Sequence, residues 1–214
     1  MNIAVFGAMG RVGSKVIEIA QQRGHTVLPI DVKLDKSGEN SGKIAQNLTY
    51  IDAVIDFSVA DATKQVCEFC EAHHCALITG VTGRNAEQQA LIDELCSSVQ
   101  VIAKANFSVG ISMLQKLCEI VARELTDWDC EIVETHRKGK LDAPSGTAKA
   151  LATTVAKQRN FRRVTTHALR LGSNYGQHQV IFATNGESLT LTHQAENVDI
   201  FALGAVLSAE RLTQ

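Results

Sequence analysis

The stretch that decides the fold is Asn2-Ile3-Ala4-Val5-Phe6-Gly7-Ala8-Met9-Gly10-Arg11-Val12-Gly13. Asn2 to Phe6 is a short, mostly apolar run that reads as a strand and stops at Gly7. From Arg11 to Arg23 the apolar positions Val12, Val16, Ile19 and Ala20 recur at helical spacing, and Gly24 suits the position just past a helix end. Between strand and helix, Gly7, Gly10 and Gly13 are spaced G-x-x-G-x-x-G rather than the commoner G-x-G-x-x-G. Glycines at such a turn let backbone N–H groups approach a pyrophosphate at the positive end of the helix. The position of the loop, after a strand and before a helix, carries that reading more than its spacing does.

Thr26 to Ile30 reads as a second strand, with Pro29 awkward inside it. Asp31 closes it, where a carboxylate binds adenosine ribose hydroxyls and repels a 2′-phosphate, a lean toward NADH. Lys33 and Arg11 can offset that charge and keep NADPH open. Asp35 to Ser41 reads as a loop. Three apolar runs follow, at 53–55, 76–78 and 99–103, separated by helical patterns over 60–73 and 85–97. Strands alternating with helices imply an α/β domain with a Rossmann-like, doubly wound parallel sheet. In such sheets ligands bind beyond the carboxyl ends of strands. That places Asp56-Phe57-Ser58, Gly80-Val81-Thr82-Gly83 and Lys104-Ala105-Asn106-Phe107 near a nicotinamide, although any one alone reads as an ordinary connection.

After Phe107 the pattern changes. Ile111, Leu114, Leu117, Cys118, Val121 and Leu125 form one helical stripe. Glu131 to Thr135 reads as a half-exposed alternating strand, residues 146–157 as a helix, and 164–169, 179–183 and 189–193 as further strands. These predict a second, α+β domain with a mixed sheet over 108–196. The last apolar stretch, 201–212, reads as a helix packing back on the first domain, so that 197–214 completes residues 1–107.

The chain has 214 residues, 45% hydrophobic and 21% charged, too apolar for disorder and long enough for a core without staples. Lys plus Arg total 21 against 23 Asp plus Glu, which argues against a nucleic-acid-binding surface. No apolar run approaches a membrane span, and the N-terminus lacks the basic region of a signal peptide. Six cysteines without a secretion signal read as reduced thiols of a cytoplasmic protein. The cluster Cys67, Cys70, His73, His74 and Cys75 invites zinc, but a continuous helix against a sheet is a poor place for four converging ligands, so no metal is expected. Cys96, Cys118 and Cys130 read as core, and His167, His178 and His193 as isolated structural residues.

The most informative segment runs from Glu134 through His136, Arg137, Lys138, Lys140, Asp142, Pro144, Ser145, Gly146 and Thr147 to Ala148. A cationic loop here runs into a turn where Ser145 can cap a helix and Gly146 and Thr147 offer N–H groups, a site for a carboxylate. Histidine is the one side-chain type in this segment whose ordinary pKa lies near neutrality, which makes His136 a candidate general acid. Lys140 can donate a proton or pair with a charge.

The spacing Glu131-Ile-Val-Glu134-x-His136-x-x-x-Lys140-x-Asp142-x-Pro144-Ser145-Gly146-Thr147-Ala148 resembles the signature of the 4-hydroxy-tetrahydrodipicolinate (dihydrodipicolinate) reductase family. Residues 7–13 resemble its cofactor loop, 80–83 its Gly-Thr-Thr-Gly turn with Val81 for the first Thr, and 105–110 its interdomain segment. Gly186-Glu187 through His193 and Phe201 to Ala205 resemble its C-terminal part. The resemblance implies reduction of a cyclic dicarboxylate by NADH or NADPH on the diaminopimelate route to lysine, with His136 as the acid and Lys140 assisting. It implies substrate contacts from Arg137, Lys140, Ser145, Gly146 and Thr147, and cofactor contacts from Gly7, Ala8, Met9, Gly10, Arg11, Val12, Asp31, Lys33, Gly80, Val81, Thr82, Lys104, Ala105, Asn106 and Phe107. Members are usually homotetramers joined through second-domain sheets. Arg137 stands where members often carry a second His, and the chain is shorter than many before Asp52 and around 160–177.

Two other readings stay open at this point. One is a dinucleotide-binding sensor without chemistry, against which the presence of both His136 and Lys140 argues. The other is a different NAD(P)-dependent dehydrogenase of a dicarboxylate, from which the Pro144-Ser145-Gly146-Thr147 turn separates this chain.

Overall fold

The computed structural model describes residues 1–35, 50–160 and 162–212. The expected loop at 35–41 falls outside them from residue 36 onward, as does the side chain of Lys33. Asp35 itself ends a short helix, not a loop. The chain forms two compact units, Met1–Phe107 with Asp199–Gln214, and Ser108–Val198.

The first unit alternates strand and helix. Its strands are β1 (Asn2–Phe6), β2 (Thr26–Ile30), β3 (Ala53–Asp56), β4 (Ala76–Thr79) and β5 (Val101–Ala103). Its helices are α1 (Arg11–Gln22), α2 (Val32–Asp35), α3 (Thr63–His73, entered through a 3-10 turn at Ala60–Ala62) and α4 (Ala86–Leu95). The C-terminal helix Asp199–Leu212 also belongs to this unit. The sheet runs in the order β2-β1-β3-β4-β5 with every pair parallel. Pro29 is accommodated because β2 is an edge strand, with one open side.

Side-chain alternation explains why both sheet faces are dry. Ile3, Val5, Ala53 and Ile55 point into one core with Val16 and Ala20 of α1 and Ala202, Ala205, Val206 and Ala209 of the C-terminal helix. Ala4, Phe6 and Val54 point into the other, with Val66, Cys67 and Cys70 of α3 and Ile92 and Leu95 of α4. Fully burying a side chain such as Ile3 or Ile55 contributes about 1.5–3 kcal/mol. Cys67, Cys70 and Cys75 are thus core residues, as are Cys118 and Cys130. Cys96 is exposed after α4, contrary to expectation, because it lies beyond the last buried position, Leu95.

The second unit consists of α5 (Val109–Glu124), β6 (Asp129–His136), α6 (Gly146–Gln158), β7 (Thr165–Arg170), β8 (Gln177–Thr184) and β9 (Glu187–Gln194). With the Asp199–Leu212 helix as α7, this completes the elements. The sheet order is β7-β6-β8-β9, with β6 and β7 parallel and the other pairs antiparallel. Cys130, Ile132, Val180 and Phe182 face Ile111, Leu114 and Cys118 of α5 and Leu151 and Val155 of α6. Glu134 shares that inward parity with Ile132 and is fully buried, while Val133 is half-buried on the opposite face with Glu131. The strand therefore alternates as expected as far as Glu134, a carboxylate at an inward position, and departs from it only at the buried Thr135. Among the described residues no helix is long and apolar enough to cross a membrane.

Candidate active site

The glycine loop folds onto the end of β2. Gly7 N donates to Ile30 O at 3.0 Å and Gly10 N to Gly7 O at 2.9 Å. A Cβ on Gly13 would lie 2.0 Å from Gly7 O, and one on Gly7, whose φ is +74°, would lie 2.7 Å from Phe57 O. Helix, loop and the end of β3 can approach this closely only without side chains. Asp31 Oδ2 accepts the Met9 N–H at 3.0 Å, so the carboxylate stands beside the loop. The loop and Asp56-Phe57-Ser58 flank the β1–β3 pair, where strand order reverses, the place at which doubly wound sheets bind ligands. No side chain caps the start of α1, whereas Asn85, Ser108 and Ser145 cap α4, α5 and α6. An uncapped helix start behind a close glycine turn fits a dinucleotide pyrophosphate.

A second set of contacts fixes the neighbouring loops. Asp56, 1% exposed, accepts hydrogen bonds from Ser58 N, Ser58 Oγ and Thr79 Oγ1. Arg84 donates to Thr79 Oγ1 at 2.6 Å and to Val81 O at 2.9 Å, and its Nη2 lies 3.6 Å from Asp56 Oδ2. The guanidinium thus holds the turn at 80–83 against the ends of β3 and β4. A Cβ on Gly80 would collide with the Phe57 ring. Lys104 N donates to Thr79 O, Lys104 and Ala105 are exposed, and Asn106 is half-buried. The Phe107 side chain is committed to the core, edge-on to Phe57.

In the second unit His136 ends β6 with 12% of its side chain exposed. Its Nδ1 lies 2.5 Å from Glu134 Oε2. Glu134 also accepts from Arg170 Nη1 at 2.9 Å, Arg170 Nη2 at 2.8 Å and Ser145 N at 3.0 Å. Burial opposes ionisation of Glu134, but the hydrogen bonds from Arg170, His136 and Ser145 outweigh it and hold the carboxyl below its ordinary range. Arg170 Nη2 also reaches Asp142 O at 2.6 Å. Ser145 caps α6, its Oγ accepting from Ala148 N at 3.1 Å, and the same Oγ lies 3.2 Å from His178 Nε2. Ser145 is 2% exposed, so its hydroxyl serves the helix start, and the exposed Gly146 and half-buried Thr147 form the outer edge of the turn.

The basic loop closes on itself. Lys140 N donates to Arg137 O at 3.1 Å, and Lys140 Nζ lies 2.6 Å from Asp142 Oδ1. Lys140, and the Gly146 N–H at the start of α6, hold the Asp142 carboxyl below its ordinary range. Arg137 is exposed, its guanidinium folded over Gly139.

The loop therefore gathers His136, Arg137, Lys140, Ser145, Gly146 and Thr147, as the sequence suggested. Glu134, Arg170 and Arg84 were not singled out. The parity of Glu134 with Ile132 was the available signal, since a carboxylate on a buried face demands partners. His178 is not isolated: its ring meets that of His136 edge-on with centroids 5.3 Å apart. Burial, and then the charge of His136, push His178 down to about 4, so it stays neutral near pH 7. His193 likewise touches Ser108 and the backbone of Gly110.

Two family models match the chain: "Dihydrodipicolinate reductase, N-terminus" over residues 1–107 and "Dihydrodipicolinate reductase, C-terminus" over residues 110–214. A 4-hydroxy-tetrahydrodipicolinate reductase of Thermosipho africanus is 33% identical over 210 residues, covering 98% of this chain and 90% of that protein. One of Natronomonas pharaonis is 34% identical over 232 residues, covering 99% and 94%. The fold is similar to that of a dipicolinate-bound dihydrodipicolinate reductase from Paenisporosarcina sp. TG-14, with a TM-score of 0.80, 21% identity and coverage of 100% and 94%.

Proposed function

The chain belongs to the dihydrodipicolinate reductase family, and from that premise we propose that it reduces 4-hydroxy-tetrahydrodipicolinate to tetrahydrodipicolinate, in the biosynthesis of diaminopimelate and lysine. The carrying observation is the convergence of an imidazole, an ammonium and a capped helix start within the single segment 134–148.

Gly7 to Val12, Asp31 and the turns at 80–82 and 104–107 would hold a reduced nicotinamide dinucleotide, which supplies a hydride when bound. The chain's own residues do the rest. His136, tethered through Nδ1, presents Nε2 to hold and deliver a proton as the substrate loses water. Lys140 pairs with the substrate's charge or assists that transfer. The start of α6 at Gly146 and Thr147 accepts a carboxylate, since the N–H groups and the dipole of a helix start favour an anion. Arg137, in place of the family's frequent second His, offers a fork suited to the other carboxylate. Asp31 favours NADH, because its charge repels a 2′-phosphate.

We further propose a cytoplasmic homotetramer. The sheet face opposite α5 and α6 carries Val133, Leu169 and Ile181, and Leu169 is 43% exposed. A second copy covering that face buries them.

The test is oxidation of NADH and NADPH with the condensation product of pyruvate and aspartate semialdehyde. Cofactor oxidation dependent on that substrate is expected. Cofactor binding without turnover favours the sensor reading or another dehydrogenase.

A further inference from the structure

We propose that Glu134 is a positioning residue that fixes the proton-bearing nitrogen of His136, with Arg170 as its counter-ion. The inference rests on His136 being the acid for its consequence in catalysis, but its geometry stands without that reading.

Glu134 is 0% exposed on the inward face of β6, where a carboxylate is costly unless every oxygen is paired. The pairing is complete. Oε1 takes N–H donors from Arg170 Nη2 and Ser145, and Oε2 takes one from Arg170 Nη1. An ionised carboxylate can only accept, so the ring nitrogen 2.5 Å from Oε2 must carry a hydrogen. That nitrogen is Nδ1. In the neutral ring the lone pair is then on Nε2, and in the charged ring the exchangeable proton sits on Nε2. The opposite tautomer would set the Nδ1 lone pair against the carboxylate.

The parallel register of β6 and β7 places Arg170 opposite His136, which brings the fork onto Glu134 two residues earlier. Gly176 completes the seat: a Cβ there would lie 2.9 Å from His136 Nε2, so only glycine leaves the ring its place. Because the same carboxylate takes the Ser145 N–H, one buried group sets both the imidazole and the start of α6. A carboxylate that orients a histidine through its second nitrogen is a general device for choosing a tautomer.

The test reads the tautomer directly. In protein labelled with ¹⁵N-histidine, long-range ¹H–¹⁵N spectra at alkaline pH should show His136 as the Nδ1–H form, identified by its loss in His136→Gln. Glu134→Gln offers an amide donor in place of the carboxylate, so His136 should switch to the Nε2–H form. With that switch kcat should fall by roughly 10²-fold, within the ~10²–10⁴ that a placed acid contributes, while NADH affinity is unchanged. Should Glu134→Gln fail to fold because Arg170 loses its counter-ion, the double variant Glu134→Gln/Arg170→Gln removes both charges and gives the same reading. An Nε2–H ring in the unaltered protein, or no switch in the folded variants, overturns the proposal. A switch with undiminished kcat supports the positioning and overturns instead the assignment of His136 as the acid.

Discussion

Lys140 Nζ stands 2.6 Å from Asp142 Oδ1, two residues along the same loop. The ammonium of the cationic loop is thus paired with an internal anion. Asp142 is 53% exposed in its side chain, so the pair is a weak one, worth about 0.5–1 kcal/mol.

If Lys140 binds substrate as proposed, a substrate carboxylate has to displace that anion. Asp142→Asn should therefore lower KM for the cyclic dicarboxylate by roughly 2–5-fold, the same energy expressed as binding, with kcat little changed. Steady-state kinetics decide it. A higher KM would mean that Asp142 orders the loop more than it competes.

Proton delivery and cofactor binding should separate by mutation. His136→Gln and Lys140→Ala should each lower kcat by roughly 10²–10⁴-fold and leave NADH dissociation within about twofold. Gly13→Ala should do the reverse, because its Cβ would lie 2.0 Å from Gly7 O and force the pyrophosphate loop apart. Overpacking of this kind costs about 1–3 kcal/mol. NADH titration by fluorescence beside turnover measures both quantities. A His136→Gln enzyme that keeps more than about half of kcat would move the acid elsewhere, with Lys140 first in line.

Coenzyme choice should respond to Asp31, whose Oδ2 already accepts the Met9 N–H beside the loop. Asp31→Ala should shift the ratio of kcat/KM toward NADPH by about tenfold, 1.4 kcal/mol. An unaltered enzyme preferring NADPH by more than that would show that Arg11 and Lys33 dominate.

Glu210 makes stability depend on acid pH. The Arg23 hydrogen bond holds its carboxyl at about 2, against a partial opposing effect of burial, with His25 also contributing. The folded value lies below the unfolded one, so the stabilisation is present above the ordinary carboxylate range. It is lost as pH falls from about 4.5 toward 2. Glu210→Gln should cost about 1 kcal/mol at neutral pH, a typical figure for a partly exposed ion pair, and nearly nothing at the acid end. Urea midpoints across that pH range measure the difference. Parallel pH curves for the two proteins would remove Glu210 from the account.

The sheet, helices and glycine loop were legible because each follows a local rule. Asn2 to Phe6 is a short apolar run stopped by Gly7, and Val12, Val16, Ile19 and Ala20 keep helical spacing. The cationic loop was legible because its residues are neighbours in the chain. Glu134 with Arg170, and Asp56 with Thr79 and Arg84, were not, since each cluster is assembled by strand register across distant segments. Their polarity also argued for exposure, which is the commoner fate of such residues. His178 was misjudged for the same reason: its neighbours His136 and Ser145 come from other elements.

One consequence of the chain's route concerns its synthesis. The face of the first sheet that holds Ile3, Val5 and Ile55 is closed partly by Ala202, Ala205, Val206 and Ala209 of α7. Those residues leave the ribosome only after 108–198 has been made. At ~5–20 residues per second that interval is roughly 5–20 s. The second unit, contiguous in the chain, can fold within that window, while the first waits with an apolar face unsealed. The unit begun earliest is thus the one finished last, and it is the nascent sheet, rather than the cationic loop, that needs shelter from aggregation as the chain emerges.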